Sequence, residues 1–234
     1  VIDISNPTKL IVAKTLSLDS VRGTNTFPSA VVCVEGERAY IASSSSIAVL
    51  DISDPTTPRI ATVKPLPSEM SEIMQRGYAT NARIFNRHLY LCYGLHMYDG
   101  AVAIFECSEP SLLTYCGKVD TQCHATSIGF YDHYAFVASH ETIEVFYAFD
   151  TGALCRVAIL PGYWGTSDLL IKNARIYLAD SSGVHILGIA APPRITRQTI
   201  NGNMLSLEWN ETAEGMRLQR ATSLSNPNWQ ELLG

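Results

Sequence analysis

The chain has 234 residues, 47% apolar and only 17% charged, with a net charge of −5. That length can bury a sizeable core in one or two domains, and a charged share well below the roughly 25% of average proteins argues against disorder. The acidic balance, with no run of five or more Lys and Arg, leaves no footprint for nucleic acid, and no apolar stretch reaches the ~18 residues of a membrane helix.

The chain opens on Val1-Ile-Asp-Ile-Ser-Asn-Pro7 with no Met, basic n-region or cleavage site, which predicts a piece of a longer protein. The same pattern returns as Val49-Leu-Asp-Ile-Ser-Asp-Pro55 and Ile104-Phe-Glu-Cys-Ser-Glu-Pro110. It recurs more loosely as Val145-Phe-Tyr-Ala-Phe-Asp-Thr151 and Ile186-Leu-Gly-Ile-Ala-Ala-Pro192. A second marker precedes each later copy: Arg38-Ala-Tyr-Ile-Ala42, His88-Leu-Tyr-Leu-Cys92, Tyr134-Ala-Phe-Val-Ala138 and Arg175-Ile-Tyr-Leu-Ala179. Two markers in constant order define an internal repeat.

Each unit reads as four short strands. In the best-defined one these are Ala30 to Val34, Arg38 to Ser43, Ile47 to Ile52 and Arg59 to Val63, rich in the residues strands prefer. Glu35-Gly36 supplies a tight hairpin, and Ser53-Asp54-Pro55 combines a side-chain acceptor with a fixed φ. Ile47-Ala-Val-Leu-Asp-Ile52 is almost wholly apolar instead of alternating, as a strand covered on both faces must be. A two-sheet sandwich leaves one face of every strand wet, whereas stacked four-stranded blades bury both. The expected fold is an all-β propeller over residues 1–190, with four blades and a partial one at the N-terminus.

These residues resemble the LVIVD-repeat family, bacterial secreted or surface β-propellers whose units carry an apolar run, an Asp and an Ile-Ser-Asn/Asp-Pro turn. Val1 to Pro7 and Val49 to Pro55 fit that pattern, while the last two copies have Tyr147 and Gly188 at the Asp position. The resemblance implies a fold and an extracellular, cell-surface or periplasmic home. It assigns no reaction, because the signature residues belong to strands and turns.

From Ala191 the pattern changes. Pro192-Pro193 interrupts the strands, Leu205-Ser-Leu-Glu-Trp209 alternates apolar with polar, and residues 191–234 balance four Arg against four Glu. This stretch resembles the opening strands of a fibronectin type III-like β-sandwich with Trp209 as core anchor, cut short of the ~100 residues such a domain uses.

In an up-down blade, loops between the second and third strands share one side with the connections between blades. That side is expected to carry Arg22, Asn25, Arg76, Tyr78, His96, Tyr98, Asp99, His124, His140, Tyr163, Trp164 and Asp180. Its connections are the longer ones, Pro65 to Ala79 above all, and long loops tend to carry function. Arg76, Tyr78, Tyr163 and Trp164 offer stacking and bidentate hydrogen bonding, the chemistry of a glycan or carboxylate site. His124 and His140 flank one unit as imidazoles that could act as a base or ligand. Six Cys occur without CxxC, and no HExxH, GxSxG, P-loop or dinucleotide fingerprint exists, so no catalytic residue, metal or cofactor is assigned. Cys107 and Cys116 flank the Ser108-Glu109-Pro110 turn, and an exported home would favour a disulfide between them.

The expected function is a non-catalytic binding module that takes a glycan or peptide, or a protein at the cell surface, on the long-loop side. A polysaccharide hydrolase or lyase using the His-bearing loops, and a rigid spacer, are the alternatives.

Overall fold

The computed structural model describes residues 2–3, 11–12, 15, 31–54, 56–70, 77–96, 99–109, 112–189, 195–201, 204–209, 219–220 and 230–231. The chain divides into two compact units, Val1–Leu187 and Gly188–Gly234. In the first, β1 (Ile2–Asp3) pairs antiparallel with β2 (Ile11–Val12), setting Ile2 opposite Val12.

Three four-stranded sheets follow, each laid down in chain order. They are β3 (Val31–Glu35), β4 (Arg38–Ala42), β5 (Ser46–Asp51) and β6 (Arg59–Pro65); β7 (Tyr78–Phe85), β8 (His88–His96), β9 (Asp99–Glu106) and β10 (Thr114–Thr121); and β11 (Ala125–Tyr131), β12 (Tyr134–Ser139), β13 (Thr142–Ala148) and β14 (Leu154–Pro161). A fourth sheet holds β15 (Asp168–Lys172), β16 (Arg175–Asp180) and β17 (Gly183–Gly188). These are the blades of a β-propeller, and the strand limits read from the sequence for the first sheet agree to within two residues at every end.

Tight turns join the first two strands of each blade. Asn86 and Arg87 (φ 45° and 62°) and Asn173 and Ala174 (φ 52° and 54°) put both central residues in the left-handed region. That backbone matches the right-handed twist of the flanking strands. The Asp of the repeat signature acts locally at the opposite hairpin: Asp51 Oδ1 accepts from the Ser53 amide (3.0 Å) and hydroxyl (2.7 Å), and Glu106 accepts from Ser108 Oγ at 2.6 Å.

The first strands of successive blades touch, and side chains stitch them together. The β7–β8 ladder slips a register between Ala79 and Asn81, and the bulged Thr80 donates its hydroxyl to Cys92 C=O and to Ala125 C=O of the next blade (3.1 and 2.6 Å). The β11–β12 ladder slips in the same way between Ala125 and Ser127; Thr126 donates to Ala138 C=O at 3.1 Å, and Ser127 Oγ reaches Asp168 of the next blade at 2.7 Å.

Burial on both faces explains the unbroken apolar strands. Along β5, Ile47 and Val49 enter the wedge between the first and second blades, while Ala48 and Leu50 join a separate cluster on the other side. Along β8, Leu89, Leu91 and Tyr93 face the first blade and Tyr90 and Cys92 the third. Each fully buried side chain of this size contributes about 1.5–3 kcal/mol. The recurring aromatic is therefore core in three of its four copies: Tyr40, Tyr90 and Phe136 are buried.

In the structure Cys107 and Cys116, the pair an exported home would favour bridging, are both free thiols. The β9–β10 ladder shifts register between Tyr115 and Gly117, so Cys116 occupies a bulge and lies exposed, its Sγ donating to Thr114 C=O. Cys107 is buried and donates to Arg87 C=O at 3.1 Å. Burial pushes its thiol up to about 12.

In the second unit β18 (Ile195–Asn201) pairs with β19 (Met204–Trp209), and β20 (Gln219–Arg220) with β21 (Gln230–Glu231), all antiparallel. The Trp209 side chain lies outside the described residues.

Candidate functional site

The connections between blades and the turns between second and third strands meet on one side of the propeller, and backbone bonds tie them into a strap. His140 N–H donates to His124 C=O (3.1 Å), Gly165 N–H to His140 C=O (2.7 Å), and Ser181 N–H to Trp164 C=O (3.2 Å). Gly162 and Tyr163 N–H both donate to Glu141 C=O. The 162–167 connection is thus held by the third blade on one flank and the fourth on the other. Gly162 and Gly165 take φ of 101° and 67°, which only glycine adopts without strain.

Two imidazoles anchor this side. Tyr78 Oη lies 3.3 Å from His124 Nε2, and the ring centroids are 5.2 Å apart. The His124 ring lies so close over Gly94 that any Cβ there would overlap it. His124 is therefore a packed joint between the second and third blades. The second imidazole, His185, was not singled out by sequence reasoning. Its Nε2 lies 2.9 Å from Asp180 Oδ2 and 3.0 Å from Ser182 Oγ, and its ring meets Tyr163 edge-on at 5.7 Å. The Asp-Ser-Ser-Gly turn between β16 and β17 was its available signal. Such a turn curls amides and hydroxyls onto its Asp, and here the Ser182 hydroxyl and amide, helped by His185, hold the Asp180 carboxyl below the usual carboxylate range.

Serine, histidine and aspartate in contact invite comparison with a nucleophilic triad, but the geometry does not support one. Both Ser182 Oγ and Asp180 Oδ2 address the same ring nitrogen. A triad needs the carboxylate on one imidazole nitrogen and the nucleophile on the other, so that the base can accept one proton while its tautomer is held. Among the described residues no group of three or more His, Cys, Asp and Glu could hold a metal ion.

Of the six residues expected to form the site, the structure brings Tyr78 and His124 into contact and links His140 and Trp164 to them through the backbone strap. Tyr163 turns to His185. Arg76 lies outside the described residues, as do Arg22, Asn25 and Tyr98; the His96 side chain does too. Trp164 stands out by exposure, at 60%, on a connection whose backbone is fixed on both flanks. The long Pro65 to Ala79 connection is less free than its length suggests. Leu66 and Met70 are buried in the wedge, and Leu66 N–H donates to Ser45 C=O at 2.9 Å.

Repeated blades with an Asp-x-Ser hairpin in the first sheet are the setting for the family comparison. The chain is similar to the LVIVD repeat over residues 1–16 and 29–62. The second LVIVD match spans almost the whole first blade, and the first covers the β1–β2 hairpin. No curated protein matches the chain. Among solved structures, the crystal structure of the computationally designed Ika4 protein matches at 15% identity with a TM-score of 0.47, covering 75% of this chain and 100% of that one.

Proposed function

We propose that the propeller binds a glycan or peptide without turning it over, on the side that carries the connections between blades. The supporting observation is Trp164: a large aromatic face, 60% exposed, on a connection pinned to both neighbouring blades. Aromatic surface held rigid before binding loses little entropy when a sugar ring or side chain stacks on it. Tyr163, braced by His185, and the Tyr78–His124 pair supply polar tips on the same side. In this reading the protein acts at the cell surface or in the periplasm, and residues 191–234 are the first strands of a fibronectin type III-like module. The misplacement of Asp180 for a triad and the packing of His124 against Gly94 both favour binding over hydrolysis.

Glycan and peptide arrays probed with the whole chain test this. Trp164→Ala should abolish a hit that Val157→Ala, at an exposed site on β14, leaves intact. Product release from the same ligand, lost in His124→Ala or His140→Ala, would overturn the binding reading in favour of an enzyme. An empty array would favour a spacer.

A further inference from the structure

The turn after the third strand is closed by the same backbone bond in three blades, yet the third blade fills it with different residues. Ile52 N–H donates to Glu37 C=O, Cys107 N–H to Arg87 C=O and Ala148 N–H to His133 C=O, at 2.9, 2.9 and 2.7 Å. This shared bond aligns Asp51-Ile52-Ser53 with Glu106-Cys107-Ser108 and with Tyr147-Ala148-Phe149. In the first two blades the acid accepts from the serine hydroxyl, and Asp51 also faces Arg38 across the ladder at 3.6 Å. In the third blade the positions of the acid, the serine and the residue opposite the acid are all aromatic: Tyr147, Phe149 and Tyr134.

Those rings form one cluster. Tyr147 meets Phe149 edge-on with centroids 5.0 Å apart and Tyr134 edge-on at 5.6 Å, and the His133 ring stacks on it at 5.9 Å. Phe149 is 46% exposed, the one large apolar side chain exposed within residues 147–155. The backbone beneath is fixed before any ligand arrives. Phe149 N–H donates to Ala153 C=O and Gly152 N–H to Phe149 C=O, both at 2.9 Å, and Tyr90 of the second blade donates its hydroxyl to Gly152 C=O at 3.1 Å. A single exposed phenylalanine needs no explanation. Here a turn gives up the acid–serine hydrogen bond that satisfies it in two other blades and gathers four rings instead, which stability does not require.

The rim of the cluster is polar. Burial, Tyr147 and the Asp132 carboxylate push the Tyr134 hydroxyl up, so it stays a neutral donor, and His133 Nε2 lies 3.8 Å from Asp132 Oδ1. Asp150, next to Phe149 in the chain, is exposed and adds a second carboxylate. Apolar ring faces edged by hydroxyls, an imidazole and carboxylates match a pyranose, which has a C–H face and a rim of hydroxyls. The two carboxylates disfavour an acidic sugar, and a stable protein interface takes ~800 Å² from each partner, more than this one hairpin presents. We propose that the aromatic hairpin between β13 and β14, Tyr147 and Phe149 with Tyr134 and His133 beside them, is a carbohydrate-binding site for a neutral pyranose that stacks on the rings and hydrogen-bonds to their polar rim. It lies on the side of the propeller opposite Trp164 and is independent of the ligand reading given for that side.

Affinity electrophoresis of the whole chain tests it, in native gels that contain hydroxyethylcellulose, galactomannan, arabinoxylan or glycol chitin. Tyr147→Asp with Phe149→Ser rebuilds the polar turn of the first blade, so the fold should be kept. At least one polymer should retard the parent protein; the double variant should bind that polymer at least about tenfold more weakly, the equivalent of ~1.4 kcal/mol, and Trp164→Ala should bind it as the parent does. Should the double variant fail to fold, Phe149→Ser alone, which removes only the exposed ring, should weaken binding several-fold. No retardation of the parent by any of these polymers, or unchanged retardation in a folded hairpin variant, overturns the proposal. Retardation lost in Trp164→Ala and kept in the hairpin variants also overturns it, while supporting a sugar site among the connections between blades.

Discussion

Replacing Arg156 by Met should leave a carboxylate stranded inside the propeller. Glu144 on β13 is 0% exposed, and its Oε1 accepts from the Gln122 amide at 2.7 Å. Its Oε2 faces Arg156 Nε at 2.7 Å as a charge contact that is not aligned as a hydrogen bond. Arg156 also donates to Asp120 C=O at 2.5 Å and lies over the Phe146 ring at 5.4 Å. Breaking one partner of a buried pair costs 3–5 kcal/mol. Because the arginine side chain is about a third exposed, Arg156→Met is expected near the bottom of that range, about 3 kcal/mol. Adding Glu144→Gln removes the charge, keeps an acceptor for Gln122 and should recover all but about 1 kcal/mol, the share of the hydrogen bond and ring contact. Burial already raises the Glu144 carboxyl against the opposing Gln122 amide and Arg156, and losing Arg156 raises it further. The folded Arg156→Met protein then binds a proton that the unfolded chain, titrating near 4.3, has released, so its deficit should shrink as pH falls from 7 toward 5. Urea denaturation of the parent protein, Arg156→Met and the double variant at both pH values measures this. A deficit below about 1 kcal/mol, or one that does not change with pH, would refute the claim that a buried charge is being uncompensated.

Gly94→Ala should force the His124 ring off its seat, costing about 1–3 kcal/mol and weakening any ligand bound at the Tyr78–His124 joint; unchanged melting and binding would deny that packing. Ala174→Gly should stabilise the β15–β16 turn by about 1 kcal/mol, because Ala174 sits at φ 54° where a Cβ is penalised. Cys116 should react with a maleimide within the native state, while Cys92, fully buried and with its thiol pushed far up by desolvation, should react only as fast as the protein opens. The hydroxyls of Thr56 and Thr57 and the Thr56 amide hold the Asp54 carboxyl at about 2. The contribution of that turn is complete above the ordinary Asp range and is lost as pH falls through about 2, so Asp54→Asn should remove this part of the acid dependence in a pH titration of melting.

Local signals were enough for the strands and turns. Ile47 to Leu50 had to be buried on both sides because no polar residue interrupts them, and Asn86-Arg87 and Asn173-Ala174 had to turn tightly because they separate apolar runs with no residue to spare. The marker aromatic was legible as core because it recurs in every repeat, and Tyr40, Tyr90 and Phe136 are buried while Tyr177 is only half-buried. The candidate site was legible only as a side of the molecule, since the up-down order of a blade determines which loops gather together but not how far apart their side chains lie.

What the sequence determined by itself was periodic: an all-β chain of four-strand units, similar to the LVIVD repeat at its start, with its loops sorted onto two sides. Periodicity follows from bonds between near neighbours, so it survives in one dimension. Only the tertiary structure decided the contacts between blades, where partners lie dozens of residues apart and one bulge redirects a side chain. It set His124 against Gly94, gave Asp180 and Ser182 the same nitrogen of His185, left Cys116 exposed in a bulge while Cys107 is buried, and enclosed Glu144 beside Arg156. It also left Leu170, Val184 and Ile186 on β15 and β17 exposed, because in a stack of sheets a strand's second face is buried only by what packs against it.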